Sequence, residues 1–322
     1  MTYYLIGPYP PPLGGVSVFI YRFTKFLKIQ SSNVTVIDFG KKKKIYRLLW
    51  LLRFCFNPKK STYDLNVIDF YSMLALILRP FPGKIIFRDH SGRLIENLNS
   101  LQILILKIFL KKVDECIFVG EHITNYYFNK GLKPSRNLLI QNAFVPPPIE
   151  DEAEIWKSYD EEILHFIKDR KPLIIANAFQ IAFHNGIDLY GLDMCASLIS
   201  YLKEEYPDVG LLFGLADIGD ETYFRKINHE IRKQCLDQNF LFMLGQKELW
   251  PLFRKADLMV RPTYVDGYGI SVAEALYFSC PAIASDVCMR PEGTILFTNR
   301  DTDDLLEKSK EVLRWGDNNR KP

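Results

Sequence analysis

Two acidic residues, Asp266 and Glu274, flank a glycine-rich turn in RPTYVDGYGISVAEALYFSCPAIASD, which runs from residue 261 to residue 286. The turn follows a strand-like DLMV and leads into an apolar run that predicts a helix beginning near Ile270. The first amides of a helix are unpaired and lie at the positive end of its dipole, so those of Gly269, Ile270 and Ser271 can bind a diphosphate. The two carboxylates can accept hydrogen bonds from the hydroxyls of a ribose and a hexose.

A purely structural interpretation of the same turn stays open. Asp266-Gly267 is a favourable turn pair, and an acidic residue near a helix start is stabilising without any ligand. The joint pattern of two acids around Gly267, Tyr268 and Gly269, directly before a helix, favours ligand binding over a turn alone.

A second glycine-rich turn, Gly14-Gly15, follows the first predicted strand in GPYPPPLGGVSVFIYRF and precedes a helical pattern. Glycine lets the backbone approach a ligand, and the start of a helix presents amides to an anion. The same residues also suit a tight turn that binds nothing. Both interpretations stay open for this segment.

Short β-branched or aromatic segments alternate with longer amphipathic ones on both sides of one interruption. The predicted strands are YYLI, VTVIDF, LNVIDF, KIIFRD, ECIFVG and LLIQNA before it, and PLIIANA, VGLLFGL, FLFML, DLMVRP, PAIAS and TILF after it. Such alternation is typical of βαβ units in parallel α/β sheets. The interruption, FVPPPIEDEAEIWKSYDEE, predicts a linker because three prolines cannot continue a buried sheet. We predict two doubly wound, Rossmann-like domains, 1–148 and 149–322, that face each other across a cleft.

The composition fits a globular protein with two cores. The 322 residues include 41 basic and 38 acidic side chains, and a net charge of +3 gives no overall field that would favour nucleic acid. Six scattered cysteines without zinc-site spacing predict buried thiols in a reducing compartment. No leader pattern precedes YYLI, and the longest apolar run, LQILILKIFL, is shorter than the roughly 20 residues that cross a bilayer. We therefore expect a cytoplasmic protein.

The glycine-rich turn resembles the C-terminal motif of the family-4 retaining glycosyltransferases, which have the GT-B fold. That motif has an acid, a Gly-aromatic-Gly, a glutamate eight positions after the acid and a later Pro-Val-Ile-Ala-Ser-like strand; this chain has Asp266, Glu274 and PAIAS. The first acid is Asp where the family usually has Glu. The resemblance implies that Glu274 binds the ribose and Asp266 the transferred sugar. It also implies an acceptor-binding N-terminal domain, a nucleotide-sugar-binding C-terminal domain and transfer with retention.

The resemblance extends to the first half of the chain. Gly14-Gly15 matches the first-loop glycines of the family, and RDHSGR places His90 where the family has a histidine that faces the donor sugar. A neutral imidazole there can hydrogen-bond a sugar hydroxyl, and its usual titration range would make the reaction depend on pH. The alternative is a histidine that merely ends a strand.

The chain departs from the family at the donor diphosphate. Asn185 stands where the family has the lysine of a Lys-Gly-Ile-Asp pattern, and no arginine follows PLIIANA. Cations near a departing diphosphate are usually a large part of catalysis. We place Asn185 among the donor-binding residues and consider His184, Arg261 and Arg290 as replacements for the missing cations.

The leading prediction is a metal-independent hexosyltransferase without a cofactor, which uses a nucleotide-diphosphate sugar as co-substrate in surface polysaccharide or glycolipid synthesis. Asp301-Thr302-Asp303 has the spacing of a metal motif, but it precedes a helical pattern and fits N-terminal capping. The missing cations would also fit a non-catalytic sugar-nucleotide-binding or assembly subunit. A dinucleotide oxidoreductase is disfavoured because no GxGxxG follows a strand.

The segment KKKKIYRLLWLLRFCFNPKK, residues 41–60, combines basic ends with Leu, Trp and Phe. Such a segment can lie at an anionic membrane surface, which would suit a polyprenyl-linked acceptor at the inner face of the cytoplasmic membrane. A core helix with solvated ends is an equally good interpretation. The segment lacks the stacking motif that would indicate nucleic acid.

Overall fold

The structure is a computed structural model that describes residues 2–30, 33–40, 45, 49, 52, 61–67, 69–78, 83–95, 98–134 and 137–319. The chain divides into two compact units, Met1–Val145 and Pro146–Pro322, here called unit 1 and unit 2. The division falls at the start of the three prolines, whose fixed φ angles and missing amide hydrogens prevent a strand from continuing.

Unit 1 contains a six-stranded sheet with strand order β2-β1-β3-β4-β5-β6. The strands are β1 (Thr2–Gly7), β2 (Asn33–Asp38), β3 (Ser61–Leu65), β4 (Lys84–Asp89), β5 (Glu115–Phe118) and β6 (Leu138–Ile140), and the helices are α1 (Gly15–Ile29), α2 (Phe70–Ile77), α3 (Ser100–Lys112) and α4 (Glu121–Asn129). All neighbouring strands pair in parallel. The order reverses between β1 and β3, which creates a topological switch point there.

Unit 2 contains a second six-stranded parallel sheet with strand order β11-β10-β7-β12-β13-β14. Its strands are β7 (Leu173–Ile181), β8 (Phe183–His184), β9 (Ile187–Asp188), β10 (Gly210–Gly219), β11 (Phe240–Leu244), β12 (Leu258–Arg261), β13 (Ala282–Ser285) and β14 (Ile295–Phe297); its helices are α5 (Glu152–Lys157), α6 (Glu161–Asp169), α7 (Leu192–Glu205), α8 (Glu221–Lys233), α9 (Ile270–Tyr277) and α10 (Thr302–Asn319). The switch point of this sheet lies between β7 and β12. Strands β8 and β9 form a separate antiparallel hairpin.

Both faces of the unit 2 sheet are covered by apolar packing. Ile174 and Ile175 are neighbours in β7, and they belong to two different core clusters on opposite sides of the sheet. Successive residues of a strand point to opposite faces, so a strand covered on both sides reads as a continuous apolar run. The predicted α/β architecture of two parallel sheets is confirmed.

One predicted strand is wrong. LNVIDF was expected to be a strand, but β3 ends at Leu65 and α2 begins at Phe70. The Asp69 side chain accepts a hydrogen bond from the amide of Ser72 at 3.0 Å, which is an N-terminal cap and starts a helix there. Within the described ranges, no helix has the length and apolar character needed to span a bilayer.

Candidate functional site

The glycine-rich turn of unit 2 lies at the switch point, where β12 adjoins β7. Ligands of open α/β sheets bind at such points, beyond the carboxyl ends of the strands. Gly269 precedes α9 with a φ of 87°, a left-handed conformation that glycine adopts without steric strain. A Cβ atom at position 269 would lie 2.9 Å from Nη1 of Arg290. Glycine therefore allows both the turn and the approach of a cation to the start of α9, at Ile270.

Two arginines and one aspartate form a buried charge cluster beside this helix start. We call Arg261, Asp266 and Arg290 the arginine cluster. Oδ2 of Asp266 accepts hydrogen bonds from Nε of Arg261 at 2.6 Å and from Nη1 of Arg290 at 2.7 Å. The side chain of Arg290 is 2% exposed and that of Asp266 13%. Two guanidinium groups share one carboxylate, so the cluster as a whole is cationic.

The orientation of Arg290 is fixed by further hydrogen bonds. Its Nη2 donates to the hydroxyls of Thr263 and Ser285, both at 3.0 Å, and its Nε donates to the carbonyl of Ser285 at 2.9 Å. Ser285 is the last residue of β13. The guanidinium is thereby held across the carboxyl ends of β12 and β13, close to the switch point.

Arg261 connects the switch point to the first turn of α9. Its Nη1 lies 3.3 Å from Oδ1 of Asn177 on β7 and 3.4 Å from Oγ of Ser271. Ser271, a predicted donor-binding residue, is buried in the first turn of α9. The structure thus brings Ser271, Gly269 and the arginine cluster together.

Asp266 is predicted from the sequence to contact the transferred sugar, whereas the structure places its carboxylate among protein donors. Besides the two arginines, Thr263 donates to Oδ2 at 3.3 Å and the amide of Gly267 donates to Oδ1 at 2.9 Å. Burial alone would raise the pKa of Asp266, but Arg261 and Arg290 outweigh burial and hold the pKa well below its usual range. Asp266 is therefore an ionised counter-ion of the arginines, and its contact with a sugar stays a prediction.

Tyr268, the aromatic residue of the Gly-Tyr-Gly turn, is buried, and burial raises the pKa of its hydroxyl. Glu274 lies one turn into α9 and is 5% exposed. Burial raises the pKa of Tyr159, and the carboxylate of Glu274 is one of three that raise it further. Glu274 therefore lies within electrostatic range of Tyr159. Its predicted contact with a ribose stays a prediction.

Asn185 lies at the tip of the hairpin formed by β8 and β9, and its side chain is exposed. Asn185 and Gly186 have positive φ angles, 51° and 77°. Positive φ at both central residues is the pattern of a two-residue type I′ hairpin turn, for which Asn-Gly is the preferred sequence. The turn geometry explains why Asn-Gly occurs here, and contact between Asn185 and a donor stays a prediction.

In unit 1, a hydrogen-bonded network ends at His90, just beyond the carboxyl end of β4. Nε2 of His90 lies 2.9 Å from Oδ1 of Asn66, and Nδ2 of Asn66 donates to Oδ1 of Asp64 at 3.1 Å. Arg88 Nε donates to Oδ2 of Asp64 at 2.9 Å, and the Tyr3 hydroxyl donates to the same oxygen at 2.7 Å. We call these five residues the histidine network. Asn66 directly follows β3, so the network reaches the switch point of unit 1.

His90 is held in its neutral form. Burial lowers the pKa of its imidazole to about 3, and the nearby charge of Arg88 lowers it in the same direction. A neutral imidazole can hydrogen-bond a sugar hydroxyl, and that predicted contact of His90 stays a prediction. The sequence also predicted that the titration of His90 would make the reaction depend on pH in the usual range of histidine. The lowered pKa contradicts this expectation, because it displaces the titration to acid pH.

The first glycine-rich turn forms the start of α1. The Ser17 hydroxyl donates to the carbonyl of Pro12 at 2.5 Å and accepts from the amide of Gly14 at 2.8 Å. Gly14 is the N-cap residue and Gly15 the first residue of α1. The predicted pairing of these glycines with a helix start is thus present, and ligand binding by them stays a prediction.

Sequence reasoning missed Asn66 and Asn177 and gave Arg290 only as one of three possible replacements. Asn66 follows β3 at the switch point, and Asn177 lies on β7 at the other switch point. Both residues lie where the strand order reverses, and this position could have identified them as candidates.

No group of three or more His, Cys, Asp or Glu side chains is arranged to hold a metal ion in the described part of the chain. The Asp301 side chain accepts a hydrogen bond from the amide of Asp304 at 3.0 Å, at the start of α10. The capping interpretation of Asp301-Thr302-Asp303 is therefore consistent with the structure.

Comparison with known proteins finds similarity to glycosyltransferases. Residues 180–321 match the family described as glycosyl transferases, group 1. The chain is also 23% identical over 230 residues to N,N'-diacetylbacillosaminyl-diphospho-undecaprenol alpha-1,3-N-acetylgalactosaminyltransferase of Campylobacter jejuni. That similarity covers 67% of this chain and 51% of the relative, so the matched part spans about half of the relative's length.

Solved structures show the same fold over nearly the whole chain. Anabaena HepE in complex with UDP superposes with a TM-score of 0.67 at 11% identity, covering 98% of this chain and 90% of HepE. Sucrose-phosphate synthase from Thermosynechococcus elongatus gives 0.66 at 14% identity, covering 97% and 90% of the two chains. A glycosyltransferase from Rickettsia africae gives 0.64 at 12% identity, covering 97% and 88%. At these identities the likeness establishes the fold alone. The chain therefore has the GT-B fold of these glycosyltransferases, with two parallel α/β sheets, and its residues 180–321 are similar to the group 1 glycosyl transferases.

Proposed function

We propose that the chain is a retaining hexosyltransferase that moves a sugar from a nucleotide-diphosphate donor to a glycan or lipid-linked acceptor. Unit 2 binds the donor, and unit 1 binds the acceptor. The observation that carries the proposal is the cationic arginine cluster at the start of α9, located at the switch point of unit 2.

The arginine cluster supplies the cations that the sequence motif lacks. A diphosphate gains negative charge as it departs, and buried, preorganised cations stabilise that charge strongly. Arg261 can donate to phosphate oxygens from its Nη2, and Arg290 from the second hydrogen of its Nη1, because their other N–H groups bind protein acceptors. The dipole of α9 acts in the same direction. Asp266 holds both arginines in place before the donor arrives.

The remaining contacts follow the sequence prediction. Glu274 binds the ribose hydroxyls, the Gly267-Tyr268-Gly269 turn surrounds the phosphates, and His90 hydrogen-bonds the transferred sugar. Asn185 and the amides at Gly14 and Gly15 complete the donor-binding set. We propose that no metal or cofactor is required, because two arginines and a helix start supply positive charge.

In the proposed reaction, the bond between the sugar C1 and the diphosphate oxygen breaks while the acceptor oxygen forms a bond to C1 on the same face. The departing phosphate oxygen takes the proton of the acceptor hydroxyl. This front-face path retains the configuration at C1, and the protein contributes positioning and charge rather than a general base.

The acceptor side is proposed to lie at the inner face of the cytoplasmic membrane. The Campylobacter relative acts, by its name, on a diphospho-undecaprenol-linked sugar. Residues 41–60, which we predict to touch an anionic membrane, lie outside the described residues except for Ile45, Leu49 and Leu52. These three are helical and exposed. Replacing Lys41 to Lys44 with Gln should weaken association with anionic vesicles.

Nucleotide binding and turnover test the proposal together. UDP is the first probe because HepE structures contain UDP and UDP-glucose. Titration calorimetry should show UDP binding to the full chain, and Arg290→Gln should weaken it by about tenfold to a hundredfold. Arg300→Gln is the matched control, since Arg300 forms a more exposed pair with Asp193 in the same unit. Equal UDP affinity in the Arg290 and wild-type proteins would reject the diphosphate site.

Release of UDP from a sugar donor then separates the two candidate functions. An active transferase should release UDP from at least one donor of a UDP-hexose panel when acceptor lipid is added. Tight binding without turnover of any nucleotide sugar would instead support the non-catalytic binding subunit.

A further inference from the structure

Two helices of unit 1 expose apolar side chains in a regular pattern. Each side chain is between 39% and 82% exposed. They are Tyr71, Leu74 and Leu78 on and just after α2, and Leu101, Leu104 and Ile108 on α3, and we call these six the apolar stripe. In both helices the spacing is three and then four residues, which places each set on a single helix face.

The two halves of the stripe lie side by side. Helices α2 and α3 pack against each other. They connect β3 to β4 and β4 to β5, and right-handed crossovers put both helices on the same side of the sheet. Their inner faces are filled by buried residues such as Met73, Leu106 and Phe109. The outer faces of α2 and α3 therefore form one surface.

This surface is basic at one end and has no acidic residue on its helices. Lys107, Lys111 and Lys112 are exposed on α3, next to Ile108. The sequences of α2 and α3, FYSMLALI and SLQILILKIFLKK, contain neither Asp nor Glu. Outer helix faces in soluble α/β domains are normally polar, and an exposed apolar patch with a charged rim indicates an interface.

We propose that the apolar stripe is the surface by which unit 1 binds an anionic lipid bilayer. The six apolar side chains enter the boundary between headgroups and acyl chains, and the three lysines contact anionic headgroups. A second copy of the chain is a poorer occupant. A two-fold contact through this surface would supply no carboxylate from α2 or α3 to pair with the three lysines.

The biological purpose of this surface rests on the proposed function. The proposal deepens that function by naming the surface that would bring unit 1 to a lipid-linked acceptor. Helices α2 and α3 run antiparallel to the strands that they connect, so Tyr71 and Leu101 lie towards the carboxyl edge of the sheet. His90 lies at that edge as well. The stripe therefore extends from the edge that carries the histidine network down one side of unit 1.

Sedimentation of the full chain with sucrose-loaded vesicles tests the proposal. Vesicles of phosphatidylcholine and phosphatidylglycerol, mixed at about three to one, should bind the chain about a hundredfold more tightly than phosphatidylcholine alone. Combined Leu101→Gln, Leu104→Gln and Ile108→Gln should reduce binding by about a hundredfold. Combined Lys107→Gln, Lys111→Gln and Lys112→Gln should reduce binding to the anionic vesicles only.

A matched control replaces three exposed apolar residues of unit 2 with Gln: Tyr201, Leu244 and Trp315. This variant should bind vesicles as the wild type does. Glutamine is a good helix former, so helicity measured by circular dichroism should be unchanged in the α3 variants.

Several results would overturn the proposal. The first is an α3 apolar variant that binds vesicles as tightly as the wild type. If replacing Lys41 to Lys44 abolishes binding as well, the membrane contact belongs to residues 41–60. The second is a wild-type protein that does not bind anionic vesicles but forms a dimer, when the α3 apolar variant stays monomeric. UDP affinity is measured in every variant. Absence of UDP binding by the wild type would reject the donor proposal without affecting the vesicle result.

Discussion

The two units share one architecture but differ in the charge at their switch points. In unit 2 the strand ends carry a cationic cluster, in which Arg261 and Arg290 share the single carboxylate of Asp266. In unit 1 the Asp64 carboxylate is paired with Arg88, and the network ends in a neutral imidazole, His90. Topology fixes where a ligand can bind, and the residues at that place decide which ligand it is.

The outer helix layers of the two units differ as well. Helix α8 of unit 2 exposes polar residues, such as Glu221, Arg225 and Lys226, as a solvated helix should. Helices α2 and α3 of unit 1 expose the apolar stripe instead. Under the two proposals above, this difference would distinguish a unit that binds a charged, soluble donor from one that binds a lipid surface.

The largest expected effect comes from removing the two buried carboxylates in turn. Asp266→Asn and Asp64→Asn should each lower the free energy of unfolding by about 3 to 5 kcal/mol, because each leaves a buried guanidinium without its partner. Only Asp266→Asn should also tighten UDP binding, by about tenfold, since a phosphate can replace the lost counter-ion. Denaturant unfolding and calorimetry with UDP measure the two effects. Unchanged UDP affinity in Asp266→Asn would contradict the counter-ion role.

The next largest effects are kinetic, and they differ between a site residue of unit 2, Glu274, and one of unit 1, His90. Glu274→Ala should raise the KM for the donor by about tenfold to a hundredfold, the value of a hydrogen bond to a charged group. His90→Ala should lower kcat by about a hundredfold if its hydrogen bond strengthens in the transition state. Steady-state release of UDP measures both parameters. His229→Ala, at an exposed position of α8, is the control and should match the wild type; wild-type kinetics in either site variant would remove that residue from the site.

The effect that is smallest at neutral pH concerns His90, because its contribution to stability changes only in acid. The pKa of His90 is lowered in the folded state from 6.5 to about 3, so between these values the unfolded chain binds the proton and the folded chain does not. This residue therefore makes stability fall as pH decreases from about 6.5 towards 3 and contributes no slope above 6.5. His90→Gln should lose that part of the slope. Urea unfolding at several pH values measures it, and parallel pH profiles for the two proteins would show that His90 titrates normally.

Much of the fold follows from the sequence, because apolar runs and turn residues are local signals. The error at LNVIDF has a local cause too, since the Asp69 cap starts a helix inside an apolar segment. The pairing of Asp266 with Arg290 was not predictable, because 24 residues and a whole strand separate the partners. The apolar stripe was not predictable either. LQILILKIFL is apolar on most sides, so its sequence does not indicate which face is buried.

The side-chain amide of Asn66 determines which ring nitrogen of His90 carries the proton. Because its nitrogen is committed to Asp64, its oxygen faces Nε2 of His90, and an oxygen can only accept. The proton of the neutral ring must therefore reside on Nε2, which leaves a lone pair on Nδ1. A sugar hydroxyl near Nδ1 would therefore donate a hydrogen bond to it. A sugar with a hydrogen or fluorine in place of that hydroxyl has no such donor and would lose the contact.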